Sequence, residues 1–194
     1  RTSNQARALA HYMIADAFHR KLEGIDWRLA KDLMVADILR PENADFLDNG
    51  LAKPPTHSLD LAGASWCTAW IARALGDDDT LRRMGKLAGQ WQSAYDPATA
   101  RLSEVDSYYE GGAWNYSFRL LHDMAGRIAL YASEADFIAD LDTFFGYGQP
   151  SVVQPTDPDD SQYMDWGRSL NRFEGFNNEP DIETPYAYLY AGRH

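Results

Sequence analysis

One cysteine in 194 residues leaves Cys67 without an intrachain partner, so no disulfide holds the fold and the redox compartment cannot be read from thiol usage. No apolar run is long enough to span a bilayer. A secretory leader is also missing, but the chain opens at Arg1 within helical spacing. It therefore reads as a segment of a longer polypeptide, and the missing leader carries no weight. Positive charge is scarce: 18 Lys and Arg stand against 29 Asp and Glu, a net charge of -11, which argues against nucleic acid and anionic membrane partners. Alternating strand patterns and tight hairpin signals are almost absent.

Several catalytic constellations are missing too. His11, His19, His57, His122 and His194 are scattered, without HExxH or paired-cysteine spacing for zinc. No glycine-rich loop ends in Lys-Ser or Lys-Thr, and Gly63-Ala64-Ser65 falls inside a helix without the second glycine of a nucleophile elbow. The run Asp157-Pro158-Asp159-Asp160 lacks the mid-loop glycine of a calcium hand and reads as a solvated turn.

Helical spacing is what the chain has. Arg1 to Gly24 places Ala6, Leu9, Ala10, Met13, Ala17 and Phe18 on a helical stripe, and Asp26 caps a second helix bearing Trp27, Ala30, Leu33, Met34 and Ile38. Pro41 to Pro55 reads as loop. A third helix over Ser58 to Leu75 shows Leu59, Ala62, Trp66, Ala69 and Trp70 and stops at Gly76. A fourth starts at the acidic Asp77–Asp79 and carries Leu81, Met84, Ala88, Trp91 and Tyr95. The fifth bears Trp114, Phe118, Leu121, Ala125 and Ile128, and Ser133 caps a sixth with Phe137, Leu141, Phe144 and Phe145. A long loop then runs from Gly146 to Asn171, and Thr184-Pro185 starts a last short helix. The class is all-α, and antiparallel helix pairs joined by long polar loops suggest an α/α toroid or part of one.

Aromatics are in surplus at 13 %, material suited to a core and also to the C–H faces of sugars. Two stretches carry chemistry. In Tyr108 to Tyr116, Glu110 is set among rings and glycines before a helix. Burial there would keep its carboxyl protonated, as a general acid requires, whereas the helix N-terminus favours the anion, so general acid and first-turn helix acid both stand. In Phe173 to Tyr190, the side chains of Glu174, Asn177, Asn178, Glu179, Asp181 and Glu183 crowd oxygens together. That suits either a hard cation such as calcium or an acidic cap for the following helix.

At these two stretches the sequence resembles glycoside hydrolase family 92, the calcium-dependent exo-acting α-mannosidases. The resemblance rests on YYEGGAWNYSFRLLHDMAGRI and FEGFNNEPDIETPYAYLYAG, in that order, with HSLDLAGASWCTAWIARALG, SAYDPATARL and GIDWRLAKDLMVADI upstream; it covers Gly24 to His194. It implies an (α/α)6 barrel built from antiparallel helix pairs, of which residues 1–194 would be one segment, incomplete at both ends. It also implies removal of terminal α-linked mannose from glycans with inversion at the anomeric carbon, Ca2+ assisting.

By position, Glu110 corresponds to the general acid. Asn177, Asn178 and Glu179 fall where calcium ligands stand, and Trp114, Asn115, His122 and Asp123 lie in the sugar-facing motif. Gly112 and Asn115 replace the Asn and Gln of many members. The base, in a downstream GN-x-D motif, and an N-terminal β-sandwich domain belong to the remainder of the polypeptide, so this segment alone is expected to be inactive. The family is secreted or periplasmic. The competing reading is a non-catalytic carbohydrate- or calcium-binding helical module, and behind it another toroid enzyme acting on glycans, such as a lyase or glucosidase.

Overall fold

A computed structural model describes residues 6–105, 108, 112–148 and 180–193. The chain divides into two compact units, Arg1–Ala94 and Tyr95–His194. Among the described residues the secondary structure is almost wholly helical, and no helix is long and apolar enough to cross a membrane.

Helix α4 (Pro55–Leu75) is the hub of the first unit, and α1 (Ala10–His19), α2 (Trp27–Ile38) and α5 (Asp78–Ala88) all pack on it. It begins with proline at its first position, where the missing N–H costs nothing, and ends at Gly76 with φ +72. Only Trp66, Trp70, Arg73, Ala74 and Leu75 escape full burial. A helix buried on nearly all sides must satisfy its polar side chains internally. Ser65 and Thr68 donate to the carbonyls of Leu61 and Ala64, Ser58 Oγ accepts from Ala52 N, and Asp60 Oδ2 accepts from Arg7 N. Arg7 also donates to His57 Nδ1 and to Asn43 Oδ1, whose own amide donates to Ile38 O.

The glycine in mid-helix has a packing reason. A Cβ on Gly63 would lie 1.8 Å from the Tyr12 hydroxyl, so α1 sits over α4 where the side chain is missing. The expected first helix is shorter than its spacing suggested, and its apolar stripe is not its buried face. Leu9 and Met13 are exposed, while His11 and Ala15 are buried. His11 accounts for the rotation, because its ring nitrogens reach the carbonyls of Ala8 and Met34, 3.0 Å each. Trp66 likewise stands out from its expected stripe, 44 % exposed and stacked on Trp70.

Other expectations hold closely. Asp26 Oδ1 caps α2 by accepting from Arg28 N and Leu29 N. Asp77 caps α5 by accepting from Thr80 N, and it also takes the ammonium of Lys31 from α2. The expected Pro41–Pro55 loop instead holds a 3-10 turn, Pro41–Asn43, and α3 (Ala44–Asn49), anchored by the fully buried Phe46. Cys67 lies in the core with Ala15, Met34 and Ile71, and burial pushes its thiol up to about 11.

The second unit is built from shorter pieces. A two-residue antiparallel pair, β1 (Tyr95–Asp96) with β2 (Arg101–Leu102), precedes α6 (Ala113–Ser117), α7 (Met124–Ile128) and α8 (Glu134–Phe144). Ser133 caps α8 by accepting from Asp136 N. After the residues not described come α9 (Pro180–Glu183), a 3-10 turn Thr184–Tyr186, and α10 (Ala187–Tyr190). The core is aromatic: Phe118, Phe137 and Phe144 with Met124, Ile128, Leu141, Ala187 and Ala191.

Arg127 is fully buried within that core. Its guanidinium donates twice to the Ser117 carbonyl at the end of α6, where the helix dipole is negative, and lies 4.5 Å from the Tyr95 ring and 5.2 Å from the Tyr131 ring. Two expectations fail here. The single fifth helix is broken into α6 and α7 by an irregular turn at 118–123, and the helix start expected at Thr184-Pro185 is a 3-10 turn that follows α9, with Thr184 fully buried inside it. The expected loop over Gly146–Asn171 falls mostly outside the described residues, as does the Asp157 run.

Candidate active site

Among the proposed site residues, Glu110, Asn177, Asn178 and Glu179 lie outside the described residues. The elements that follow them in sequence are described: α6 begins three residues after Glu110, and α9 begins directly after Glu179. These two helices pack on each other. The two chemistry-bearing stretches, more than 60 residues apart, thus meet at their described ends.

Trp114 and Asn115 are neighbours on α6 and diverge, as consecutive helical positions must. The Trp114 ring carries the Arg101 guanidinium 3.8 Å above it and stacks on Phe144 with a 7° interplanar angle. Arg101 is held there by Asp140, which also accepts from Tyr131 Oη at 2.7 Å. Burial, with Asp140 as acceptor, pushes the Tyr131 phenol up to about 12. Trp114 is therefore built into the aromatic core of its unit. Asn115 is buried, and its Oδ1 accepts from Gly112 N at 3.1 Å, closing the N-terminus of α6.

His122 and Asp123 sit in the turn before α7, both half-buried. Asp123 Oδ1 accepts from Gly126 N at 2.8 Å and so caps α7. A Cβ on Gly126 would come within 2.3 Å of Asp123 Oδ2, which explains the glycine three residues after the acid. Met124 reinforces the turn, its sulfur lying 3.3 Å from Leu121 N.

Glu183 belongs to the acidic stretch but is not among its candidate site residues. Its Oε1 accepts from Leu120 N at 3.2 Å, across 63 residues of sequence. Burial raises its carboxyl pKa, opposed by the positive Arg119 and by the Leu120 N–H. In sequence it stands directly before the expected helix start at Thr184-Pro185, four residues after Glu179, and no local pattern points from there to Leu120. Behind it, Tyr188 turns inward to donate to Asp142 Oδ1 at 2.7 Å and stacks on Phe145, whereas Tyr186, Leu189 and Tyr190 are exposed. Tyr108, at the start of the Glu110 segment, stacks on Tyr116 and donates to Ser103 O. Burial raises its phenol well above the ordinary value.

Among the described residues, no three His, Cys, Asp or Glu side chains are gathered closely enough to hold a metal ion. The oxygen donors Asn177, Asn178 and Glu179 retain the chemistry that suits calcium.

No curated protein matches the chain. Solved structures do. A family GH92 alpha-mannosidase from Bacteroides thetaiotaomicron superposes with a TM-score of 0.73 at 22 % identity over 96 % of this chain and 27 % of its own. Its complex with mannoimidazole gives 0.74 at 20 % identity, covering 96 % and 28 %. A family GH92 inverting mannosidase from Bacteroides thetaiotaomicron VPI-5482 gives 0.66 at 19 % identity, covering 92 % and 28 %. The chain thus spans little more than a quarter of these structures, whose likeness at such identity speaks for the fold. The sequence model of the "Glycosyl hydrolase family 92 catalytic domain" matches residues 5–194, nearly the whole chain. The helices described above are accordingly part of an (α/α)6 barrel, and the chain belongs to glycosyl hydrolase family 92.

Proposed function

We propose that the chain is part of the catalytic domain of an exo-acting α-mannosidase that removes terminal α-linked mannose from glycans with inversion. The observation that carries this reading is family membership over residues 5–194, together with the packing of α6 on α9, the helices that follow the two motif segments. The solved relatives are described as mannosidases, one of them as inverting, which supports mannose as the sugar.

In this reading Glu110 donates its proton to the glycosidic oxygen as the bond to the anomeric carbon breaks. Water adds to the opposite face of that carbon, and its proton passes to a base outside residues 1–194. Asn177, Asn178 and Glu179 would hold Ca2+ through amide and carboxylate oxygens, and the ion would supply positive charge beside the sugar hydroxyls. His122 and Asp123 stand on the sugar side of the motif, with Asp123 also fixing the start of α7. Trp114 and Asn115 would support the sugar-facing motif from within α6, the ring in the aromatic core and the amide closing the helix start. Mannose-containing glycans are the partner, the remainder of the polypeptide completes the site, and the compartment is extracellular or periplasmic.

The test is leaving-group dependence in the intact protein. Glu110→Gln should lower kcat/KM about 10²–10⁴-fold for α-mannosides with poor leaving groups and far less for activated aryl α-mannosides. Chelation should remove activity, and calcium should restore it. Equal losses with both leaving-group classes would remove Glu110 from the acid role. Mannoside binding without turnover in the intact protein would favour the non-catalytic module instead.

A further inference from the structure

The turn at 118–123 carries His122 and Asp123 yet has little backbone structure of its own. Arg119 N reaches Tyr116 O at a long 3.4 Å, and Leu121 N faces only the Met124 sulfur, a weak acceptor. Between them, the Leu120 N–H is taken by Glu183 Oε1 from α9. We infer that Glu183 is a positioning residue, a latch that ties the turn bearing His122 and Asp123 to α9, the helix that directly follows Glu179 in sequence.

Three further observations support this assignment. The backbone next to Glu183 is immobilised, because Thr184 and Ala187 are fully buried and α10 packs on α7. The carboxylate is therefore delivered from a fixed base rather than from a free end. Its surroundings suit an acceptor held in place: the side chain is half-buried, with Arg119 supplying positive charge nearby. Finally, an acceptor oxygen faces Leu120 N in the ionised and the protonated carboxyl alike, so the latch does not depend on charge. The bond joins the two motif segments, and Glu183 is not among the candidate catalytic, sugar-facing or calcium-ligand residues. Groups of this kind, which hold ligand-bearing segments without touching the ligand, typically change metal affinity 10–100-fold when removed.

The inference rests on the calcium-assisted reading above, and its test separates the two. In the intact protein, Glu183→Ala should expose the Leu120 amide to hydrogen exchange, lower Ca2+ affinity in a calorimetric titration about tenfold or more, and raise KM for an aryl α-mannoside. Glu183→Gln keeps the acceptor and should restore all three to within about threefold, since the amide oxygen replaces the carboxylate oxygen. Tyr188→Phe, which removes the Asp142 contact on the far side of the same segment, should loosen the segment without changing Ca2+ affinity. The latch is overturned if Leu120 stays protected in Glu183→Ala, if Glu183→Gln is as damaging as alanine, or if exchange rises while affinity and KM stay constant. A wild-type protein that takes up no Ca2+ defeats the metal reading instead, and the latch then stands or falls on exchange at Leu120.

Discussion

In Arg1–Ala94 the central helix α4 runs 21 residues and is buried on nearly every side, whereas in Tyr95–His194 no described helix exceeds 11 residues, two have five and two have four. Helices of five residues have no independent stability in water, because nucleation is not recovered by propagation over so short a length. The first unit therefore rests on helix-on-helix packing, with the buried hydroxyls of Ser65 and Thr68 turned back onto their own helix. The second rests on side chains that clamp short pieces together: Arg127 on the end of α6, Arg101 and Tyr131 on Asp140, Tyr188 on Asp142 and Glu183 on Leu120. The described candidate site residues all fall in this second, irregular unit. Site residues on turns between clamped pieces can be aimed independently, which one continuous helix would forbid.

The largest test of that contrast removes a clamp. Arg127→Ala should cost the second unit about 3–5 kcal/mol, since it opens a cavity among four rings and deletes two charge-assisted hydrogen bonds to Ser117 O. Urea unfolding followed by amide exchange in each unit should show the loss in Tyr95–His194. A smaller effect is expected at Trp114, whose ring is half-buried between Arg101 and Phe144. Trp114→Ala should lower stability by about 2–3 kcal/mol, below the value for a fully buried ring, while Trp114→Phe keeps most of it. Unchanged stability in the alanine variant, with KM alone raised, would make the ring a sugar platform rather than core.

Next in size is the cap of α7. Gly126→Ala pushes a methyl group into the Asp123 carboxylate and should cost about 1 kcal/mol, the usual worth of a lost N-cap. If Asp123 serves the sugar only, the same substitution would leave the thermal midpoint in place and change activity alone.

The contrast also explains what could be read from the chain and what could not. Local signals were legible: Asp26 and Ser133 as caps, the acidic start at Asp77–Asp79, Gly76 as a stop and the stripe of α8 all follow from patterns within a few residues. The order of the two motif segments, and through it the family and fold, was legible because the pattern lies along the chain. Long-range determinants were not. The apolar spacing at Leu9 and Met13 pointed to the wrong face of α1 because His11 finds its partner on α2, 23 residues on. The spacing Trp114, Phe118, Leu121, Ala125, Ile128 looked like one helix because each residue sits at a helical step. Phe118 and Ile128 do share a core, but Asp123 starts a new helix between them.

The smallest effect concerns pH, where the two units should respond with opposite sign. In the first unit the Lys31 ammonium, followed by the Thr80 N–H and hydroxyl, holds the Asp77 carboxyl well below the ordinary range, and Asp77 together with Asp32 raises Lys31. A lowered carboxyl pKa contributes stability that is complete above about pH 3.9, the unfolded value, and is lost as pH falls through the folded one. For Lys31 the contribution is complete below about pH 10.4 and is lost as pH rises through its raised pKa. In the second unit burial raises Glu183, with Arg119 and the Leu120 N–H opposing, so the folded state binds the proton more tightly than the unfolded chain. Stability then falls as pH climbs from about 4.3 through the folded pKa. Asp77→Asn should flatten the acid limb of the first unit, and Glu183→Gln should remove the decline above about pH 4.3 from the second while keeping Leu120 bonded. Denaturation midpoints resolved by unit across this range would decide it: a Glu183→Gln profile that still declines there would mean that burial is not what governs this carboxyl.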